Sequence, residues 1–561
     1  MADSGDCREL CGTLRVLVYV NPGAERMNAS HPRTTLLGLA VAAGLLAAAG
    51  TAAAQETALP ELGSSAGELI TPQQEAQYGA YTLYQLRQMN LLLDDPLIDA
   101  WLQTMGHRLG ASSDNPKQPY AFFMLRERQI NAFATLGGYI GMNAGLVLTA
   151  RSEDEVAGVL GHEISHVTQR HVVRSVERAK KEQIPIMLAA LGMVIAAQSA
   201  GGSDSASSDD ATMAAVVGSQ ALMMQRQIDY TRANESEADR IGIQTLNRAG
   251  YDVDALGDFF ARMESAGRAN SGGYTAPDYL RTHPVTATRI SEARDRAQKI
   301  KQEAAAPGVR ARGGNNPLLP DFAQANALQH SQALGRDFPW IKERLRVLSA
   351  ASPGAAITEY RRGVDGFESQ PTDAQKYGLA LAYIGHRQGA AAETLLGALQ
   401  RAHPDNLYIA LARAEAAQVA ANPALAQTRY EQLMRHYPGN RAVILSYAGF
   451  LLEQNDAAQA RRAQDVLRRL AAGTGEDVVF QRTLARAYEL SGNGLRAAEA
   501  YAEVSFLNGR VDDAISQLTA LLKNDDLDYY QRTRIEARIA EFTPVSLELR
   551  RQGIKPEQQG S

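Results

Sequence analysis

Residues 152–173 read SEDEVAGVLGHEISHVTQRHVV, and the reading of the whole chain turns on this stretch. It predicts one amphipathic helix. Ser152 and Glu155 stand at capping-box spacing just ahead of an apolar run, which marks a helix start. Val156, Val159, Leu160, Ile164 and Val167 recur at helical spacing. Inside that run lies His162-Glu163-Ile164-Ser165-His166. His162 and His166 are four apart, so both imidazoles leave the same helix face. Two neutral imidazoles so placed can fill two corners of a tetrahedral zinc site. Glu163 can reach a water activated there and take its proton. The bland alternative is a solvated helix face with two incidental histidines. A polar triplet inside so apolar a run is costly to bury without partners, which favours the metal site.

Working outward toward the C-terminus, Ile184 to Ala197 is apolar nearly all round but too short to cross a bilayer. It reads as a buried helix, with a membrane-surface element as the alternative. Gly201 to Asp210 reads as a mobile loop, and Met213 to Arg226 as another helix. Next comes Glu235-Ser236-Glu237-Ala238-Asp239. Zinc needs a third protein ligand, and a carboxylate suffices. Glu235 and Asp239 share a helix face, so one can bind metal while the other hydrogen-bonds a ligand imidazole. Without the histidine pair, this would be read as an acidic helix face. Thr282-His283-Pro284 and Arg289-Ile290 close the domain; taken alone, His283 is a loop histidine.

Working outward toward the N-terminus, Thr71-Pro72 and Asp95-Pro96 each place a capping residue before proline at the first helical position. They predict helices over about 72–92 and 96–109. Tyr120–Leu125, Gln129–Ala134 and Tyr139–Asn143 are β-rich, with Gly137-Gly138 as a hairpin signal between the last two. A small sheet thus precedes the metal helix, and a sheet edge there could hold an extended peptide by strand addition. Residues 27–54 have the form of a secretory signal: Arg33, an apolar core from Leu36 to Ala49, and Ala52-Ala53-Ala54 before Gln55. Residues 1–26 then read as an extension ahead of the true start at Met27. An internal signal-anchor is the alternative. The only cysteines, Cys7 and Cys11, fall in that extension, so the mature chain needs no disulfide in an oxidising compartment. A bacterial periplasm fits. The net charge of −5 over 561 residues, with no basic block, argues against nucleic acid as a partner.

Residues 304–320 are rich in Ala, Gly, Pro and Asn and read as a linker between a domain at 55–303 and a second at 321–545, with a tail at 546–561. The second domain is repetitive. His403-Pro404-Asp405-Asn406 and Tyr437-Pro438-Gly439-Asn440 are similar turns 34 residues apart, the tetratricopeptide period of paired helices. About four units fit between 373 and 522, preceded by a looser helix pair from Phe338 to Phe367, and the last pair turns at Asn508-Gly509. An unrelated helical bundle is the alternative. Such an array offers a concave groove for peptides or partners. The fold class is α+β, mainly α.

Taken together, Glu155, His162-Glu163-Ile164-Ser165-His166, Arg170-His171, Glu235-Ser236-Glu237-Ala238-Asp239, His283-Pro284 and Arg289-Ile290 resemble the zinc metallopeptidase family of the CAAX prenyl protease and HtpX. The resemblance covers roughly residues 70–300. It implies a gluzincin-type fold and one zinc ion per chain held by His162, His166 and Glu235. It further implies Glu163 as catalytic acid and base, and Asp239 orienting a ligand. His283 sits where periplasmic members place a histidine close to the metal. Unlike the prenyl protease and HtpX, this sequence has no run of transmembrane spans. Joined to a tetratricopeptide array, it is similar to periplasmic members that assist and police outer-membrane β-barrel proteins. That implies clients such as the lipopolysaccharide transporter LptD, docking to the barrel-assembly machinery through the repeats, and peripheral membrane contact. The competing reading is a non-proteolytic chaperone or adaptor with a latent or structural zinc site, which an intact Glu163 disfavours because a structural site needs no base. For His283 three readings stand: a fourth ligand that holds the site latent, a donor to the oxyanion, or a loop histidine touching neither.

Overall fold

A computed structural model of the chain describes residues 70–178, 205–269, 279, 283–305, 335–366, 370–470, 475 and 477–551. The expected signal at 27–54, the extension before it, the apolar run Ile184–Ala197 and nearly all of the expected linker lie outside these residues. Among the described residues no helix is long and apolar enough to cross a membrane.

Helix α1 (Pro72–Gln88) starts with a complete capping box between Thr71 and Gln74, and α2 (Pro96–Ala111) is capped by Asp95, which accepts from the amides of Leu97 and Ile98. Both have proline in the first turn, as the sequence indicates. Helix α1 stops short of the expected residue 92, and Asn90, just beyond its end, takes a positive φ of 54°. Strands β1 (Ala121–Leu125), β2 (Ala132–Ala134) and β3 (Tyr139–Asn143) form one sheet in the order β1-β3-β2. Central β3 runs parallel to β1 and antiparallel to β2. The turn into β3 needs its glycines: Gly137 and Gly138 have φ of 73° and 85°, and a Cβ on Gly138 would lie 2.2 Å from the Pro119 carbonyl oxygen.

A short helix α3 (Ala144–Thr149) leads into α4 (Glu153–Thr168), capped by Ser152. The single helix expected over 152–173 is corrected here: it ends at Thr168, and Arg170 takes φ of +52° before residues 171–178 resume a helical path. An ion pair between Arg170 and Glu75 of α1 anchors this turn, a tertiary contact that local propensity does not register. Helix α5 (Ser205–Ala249) is one continuous 45-residue element. It absorbs both the expected Met213–Arg226 helix and most of the expected 201–210 loop. Ser and Asp suit a helix start as well as a loop, so that composition fits either. Helices α6 (Ala255–Ala269) and α7 (Ala287–Ala305) complete the domain.

Helix α4 is enclosed on nearly all sides: Val156, Val159, Leu160 and Ile164 are buried with Ile243 and Leu246 of α5 and Phe259 and Phe260 of α6. Helices α4 and α5 touch backbone to backbone. A Cβ on Gly242 would come 3.1 Å from the His162 nitrogen, and one on Gly161 would lie 3.4 Å from the Gly242 oxygen. Gly242 is seven residues, two turns, beyond Glu235, so the close approach carries Glu235 onto the histidine face.

The remaining helices pair in sequence: α8 (Phe338–Leu348), α9 (Pro353–Gly366), α10 (Asp373–Gly385), α11 (Gly389–Ala402), α12 (Leu407–Val419), α13 (Pro423–His436), α14 (Arg441–Glu453), α15 (Ala457–Leu467), α16 (Val478–Leu490), α17 (Gly494–Leu507), α18 (Val511–Leu521) and α19 (Tyr529–Arg551). The caps Thr372, Asn406 and Asn440 open successive first helices at intervals of 34 residues, and Gln388, Asn422 and Asp456 open the second helices at the same interval. This is a helical repeat array. The final helix runs to Arg551, beyond the expected end at 545. The array packs on the first domain. Arg344 of α8 pairs with Asp95, Lys342 donates to the Ala150 carbonyl, and Trp101 meets Phe338 with ring centroids 6.3 Å apart. At the far end Arg87 donates to the Leu507 carbonyl.

Candidate metal centre

Helix α4 presents His162 and His166 one turn apart. Helix α5 brings Glu235 alongside them, and the segment before α7 supplies His283. Their donor atoms all lie within 4.8 Å of one another. His162 Nε2 is 3.0 Å from His166 Nε2 and 3.4 Å from Glu235 Oε2. His166 Nε2 is 3.5 Å from Glu235 Oε1. His283 Nδ1 is 3.0 Å from Glu235 Oε1 and 3.4 Å from His162 Nε2. Four ligands about 2.0–2.1 Å from one ion must stand about 3.3 Å from each other in a tetrahedron. Five of the six separations, at 3.0–3.5 Å, lie near that figure, and the whole set stays within 4.8 Å, so the four side chains fit a zinc-sized cation.

The surroundings point the same way. His162 is fully buried and Glu235 nearly so, at 0% and 4% exposure. Burial opposes charge on His162, but Asp239 and Glu235 more than offset it and push its pKa up to about 10. His166 is held well below the usual range, first by burial and then by the charge on His162. Burial would raise the Glu235 pKa, yet His162 and His283 drive it far down. The pocket thus concentrates negative charge on a spot faced by lone-pair donors, which suits a cation. Glu163, fully buried, has no hydrogen-bond partner for either carboxylate oxygen among the described residues. Its Oε1 is 3.6 Å from His283 Nε2. A buried carboxylate left without donors is costly unless it has a job to do.

Asp239 Oδ1 lies 2.9 Å from His162 Nδ1, on the ring edge opposite the donor cluster. Arg289 grips both carboxylates: its Nε and Nη2 reach Asp239 at 2.7 and 2.8 Å, and its Nη1 reaches Glu235 Oε2 at 2.9 Å. Its guanidinium also lies 4.7 Å from the centre of the Phe260 ring. All six candidate residues, His162, Glu163, His166, Glu235, Asp239 and His283, therefore meet in one place. Sequence reasoning gave Arg289 and His171 no role, although both stood in the quoted motifs. A cation six residues beyond His283, in the first turn of the following helix, was the available signal for Arg289.

His283 is fixed from two sides. Its amide donates to the Tyr279 carbonyl at 2.7 Å, and its ring stacks on Tyr279 at 4.9 Å. Tyr279 is in turn tied to the connection between β1 and β2, its amide donating to the Ile130 carbonyl at 3.2 Å.

Residues 96–297 match the model of peptidase family M48. The chain is 33% identical over 508 residues to a putative beta-barrel assembly-enhancing protease of Vibrio cholerae, covering 91% of this chain and 96% of that one. It is 30% identical over 483 residues to the beta-barrel assembly-enhancing protease of Escherichia coli K12, covering 86% and 90%. It is 25% identical over 225 residues to the mitochondrial metalloendopeptidase OMA1 of Arabidopsis thaliana, covering 40% and 41%.

Proposed function

This chain belongs to the beta-barrel assembly-enhancing proteases of peptidase family M48, and on that premise we propose that it is a zinc-dependent endopeptidase of the bacterial periplasm that acts on outer-membrane β-barrel proteins. The observation that carries the reading is the buried cluster of four donors beside Glu163, whose carboxylate oxygens have no hydrogen-bond partner among the described residues. His162, His166 and Glu235 are the three standing ligands. Asp239 fixes the His162 ring, and Arg289 fixes both Asp239 and Glu235.

When bound, zinc supplies a Lewis acid that polarises the scissile carbonyl and makes water acidic. Glu163 takes the proton from the attacking water and returns it to the leaving amine, so its freedom from other donors is functional. Strand β2, one of the two edge strands of the sheet, packs against α4, which supports seating an extended substrate by strand addition at that edge.

His283 Nδ1 stands 3.0 Å from Glu235 Oε1 while its Nε2 faces Glu163, which supports reading it as a fourth ligand in the place of water. It serves as a removable fourth ligand that keeps the enzyme latent. The repeats, of tetratricopeptide type, take the client or the assembly machinery, with LptD-like barrels as clients and peripheral contact with the membrane. Export through the signal at 27–54 delivers the mature chain.

Elemental analysis of the mature protein should find one zinc per chain, and His162→Ala should lose it because only His166 and Glu235 remain as standing ligands beside the removable His283. Glu163→Gln should keep the zinc yet fail to cleave casein, since an amide cannot take the proton. Undiminished cleavage by Glu163→Gln ends the mechanism; stoichiometric zinc in His162→Ala ends the ligand assignment.

A further inference from the structure

Helix α4 ends one turn too early for a simple ligand helix, and the break places a third histidine against the site. In an unbroken helix, residues five apart point about 140° away from each other. His171 nevertheless faces His166, because Arg170 adopts a left-handed conformation and turns the chain back. A non-glycine residue held there is strained, and such strain persists where surrounding contacts impose it. The Arg170–Glu75 ion pair supplies one such contact.

The result is a directed chain of hydrogen bonds. His171 Nδ1 lies 2.9 Å from His166 Nδ1. His171 Nε2 lies 3.2 Å from Glu237 Oε2, which also accepts from Arg174 Nη1 at 3.1 Å. Arg174 Nη1 reaches back to the Gln169 carbonyl at 3.3 Å and so braces the broken turn. His171 is 3% exposed. Two ring nitrogens 2.9 Å apart need one hydrogen between them. His166 turns Nε2 toward the donor cluster, so with its lone pair committed there the ring hydrogen sits on Nδ1. His171 Nδ1 must then accept, its own hydrogen sits on Nε2, and Glu237 accepts that one. Only one arrangement of hydrogens satisfies all three side chains.

We infer that His171, itself oriented by Glu237 and Arg174, is the positioning residue for His166: it accepts the Nδ1–H and thereby fixes the ring and tautomer that bind the metal. This rests on the proposed role of His166 as a ligand. At His162 it is Asp239 Oδ1 that stands 2.9 Å from Nδ1, so the two histidines face different devices, a carboxylate directly at one and an imidazole–carboxylate relay at the other.

The test is zinc affinity of the full mature chain, measured by chelator competition. His171→Leu removes the acceptor and should weaken zinc binding roughly ten- to a hundredfold, the usual effect of removing a ligand-orienting group. His171→Asn places an amide oxygen near the vacated Nδ1 and should recover most of that loss. Glu237→Ala, at a half-buried position outside the core, should weaken binding by a smaller factor while leaving the fold intact. Equal losses in His171→Leu and His171→Asn would reduce His171 to packing and overturn the inference. Unchanged affinity in His171→Leu, or in Glu237→Ala should His171→Leu not fold, would also overturn it. A wild-type chain that binds no zinc would instead end the metal-site reading itself.

Discussion

Gly242 of α5 lies against the backbone of His162 of α4, close enough that a methyl group on its Cα would come 3.1 Å from the His162 nitrogen. This contact sets the distance between the helix that carries the histidines and the helix that carries Glu235. A larger side chain there must push the helices apart, because backbone cannot yield as a flexible side chain does. Gly242→Val should therefore weaken zinc binding by roughly tenfold or more, as displaced ligand geometry does. Chelator competition measures it. Wild-type affinity in Gly242→Val would mean that Glu235 finds the site without this close approach.

The latch assigned to His283 makes a prediction of opposite sign to a catalytic role. With zinc content matched, His283→Ala should cleave casein faster and should cut itself more readily. If the imidazole holds the closed state by about 1.4 kcal/mol, the gain is roughly tenfold. An oxyanion donor would instead give a loss of about a hundredfold. An unchanged rate would leave His283 outside the reaction altogether.

Across the junction between the first domain and the repeats, Arg344 donates to both oxygens of Asp95, at 2.9 and 2.7 Å, in a nearly dry contact. Asp95 also caps α2. Arg344→Ala leaves that carboxylate buried without its cation and should cost roughly 3–5 kcal/mol. Replacing both, as Asp95→Asn with Arg344→Met, keeps the cap and removes both charges, so it should recover much of the loss. Denaturant titration of the three proteins checks this. Equal stability of wild type and Arg344→Ala would show that the pair contributes nothing.

We expect residues 335–551 to hold their helical fold when expressed without the peptidase domain, because their hairpins bury their own faces against each other. Circular dichroism of that fragment decides it. A spectrum lacking helix would show that the array depends on α2 and α3 for its first layer.

Much of this protein was legible from short-range rules. Capping residues Thr71, Asp95 and Ser152 announced their helices because a cap is local chemistry. The 34-residue interval of Asn406 and Asn440 revealed the paired helices, because each repeat solves the same packing problem. Helical geometry alone puts the imidazoles of His162 and His166 on one face, and the structure brings them together there. The sequence could not foretell the break at Arg170. That turn is held by Glu75, 95 positions away, and without it His171 would point elsewhere. Nor could spacing choose between Glu235 and Asp239, which share a helix face. Their roles separate only in three dimensions, where Glu235 reaches the Nε2 edge of His162 and Asp239 its Nδ1 edge. Sequence fixes what a residue can do within a turn or two of its own helix. Which partner it meets across the core depends on how backbones approach, and here that approach is set by two glycines touching.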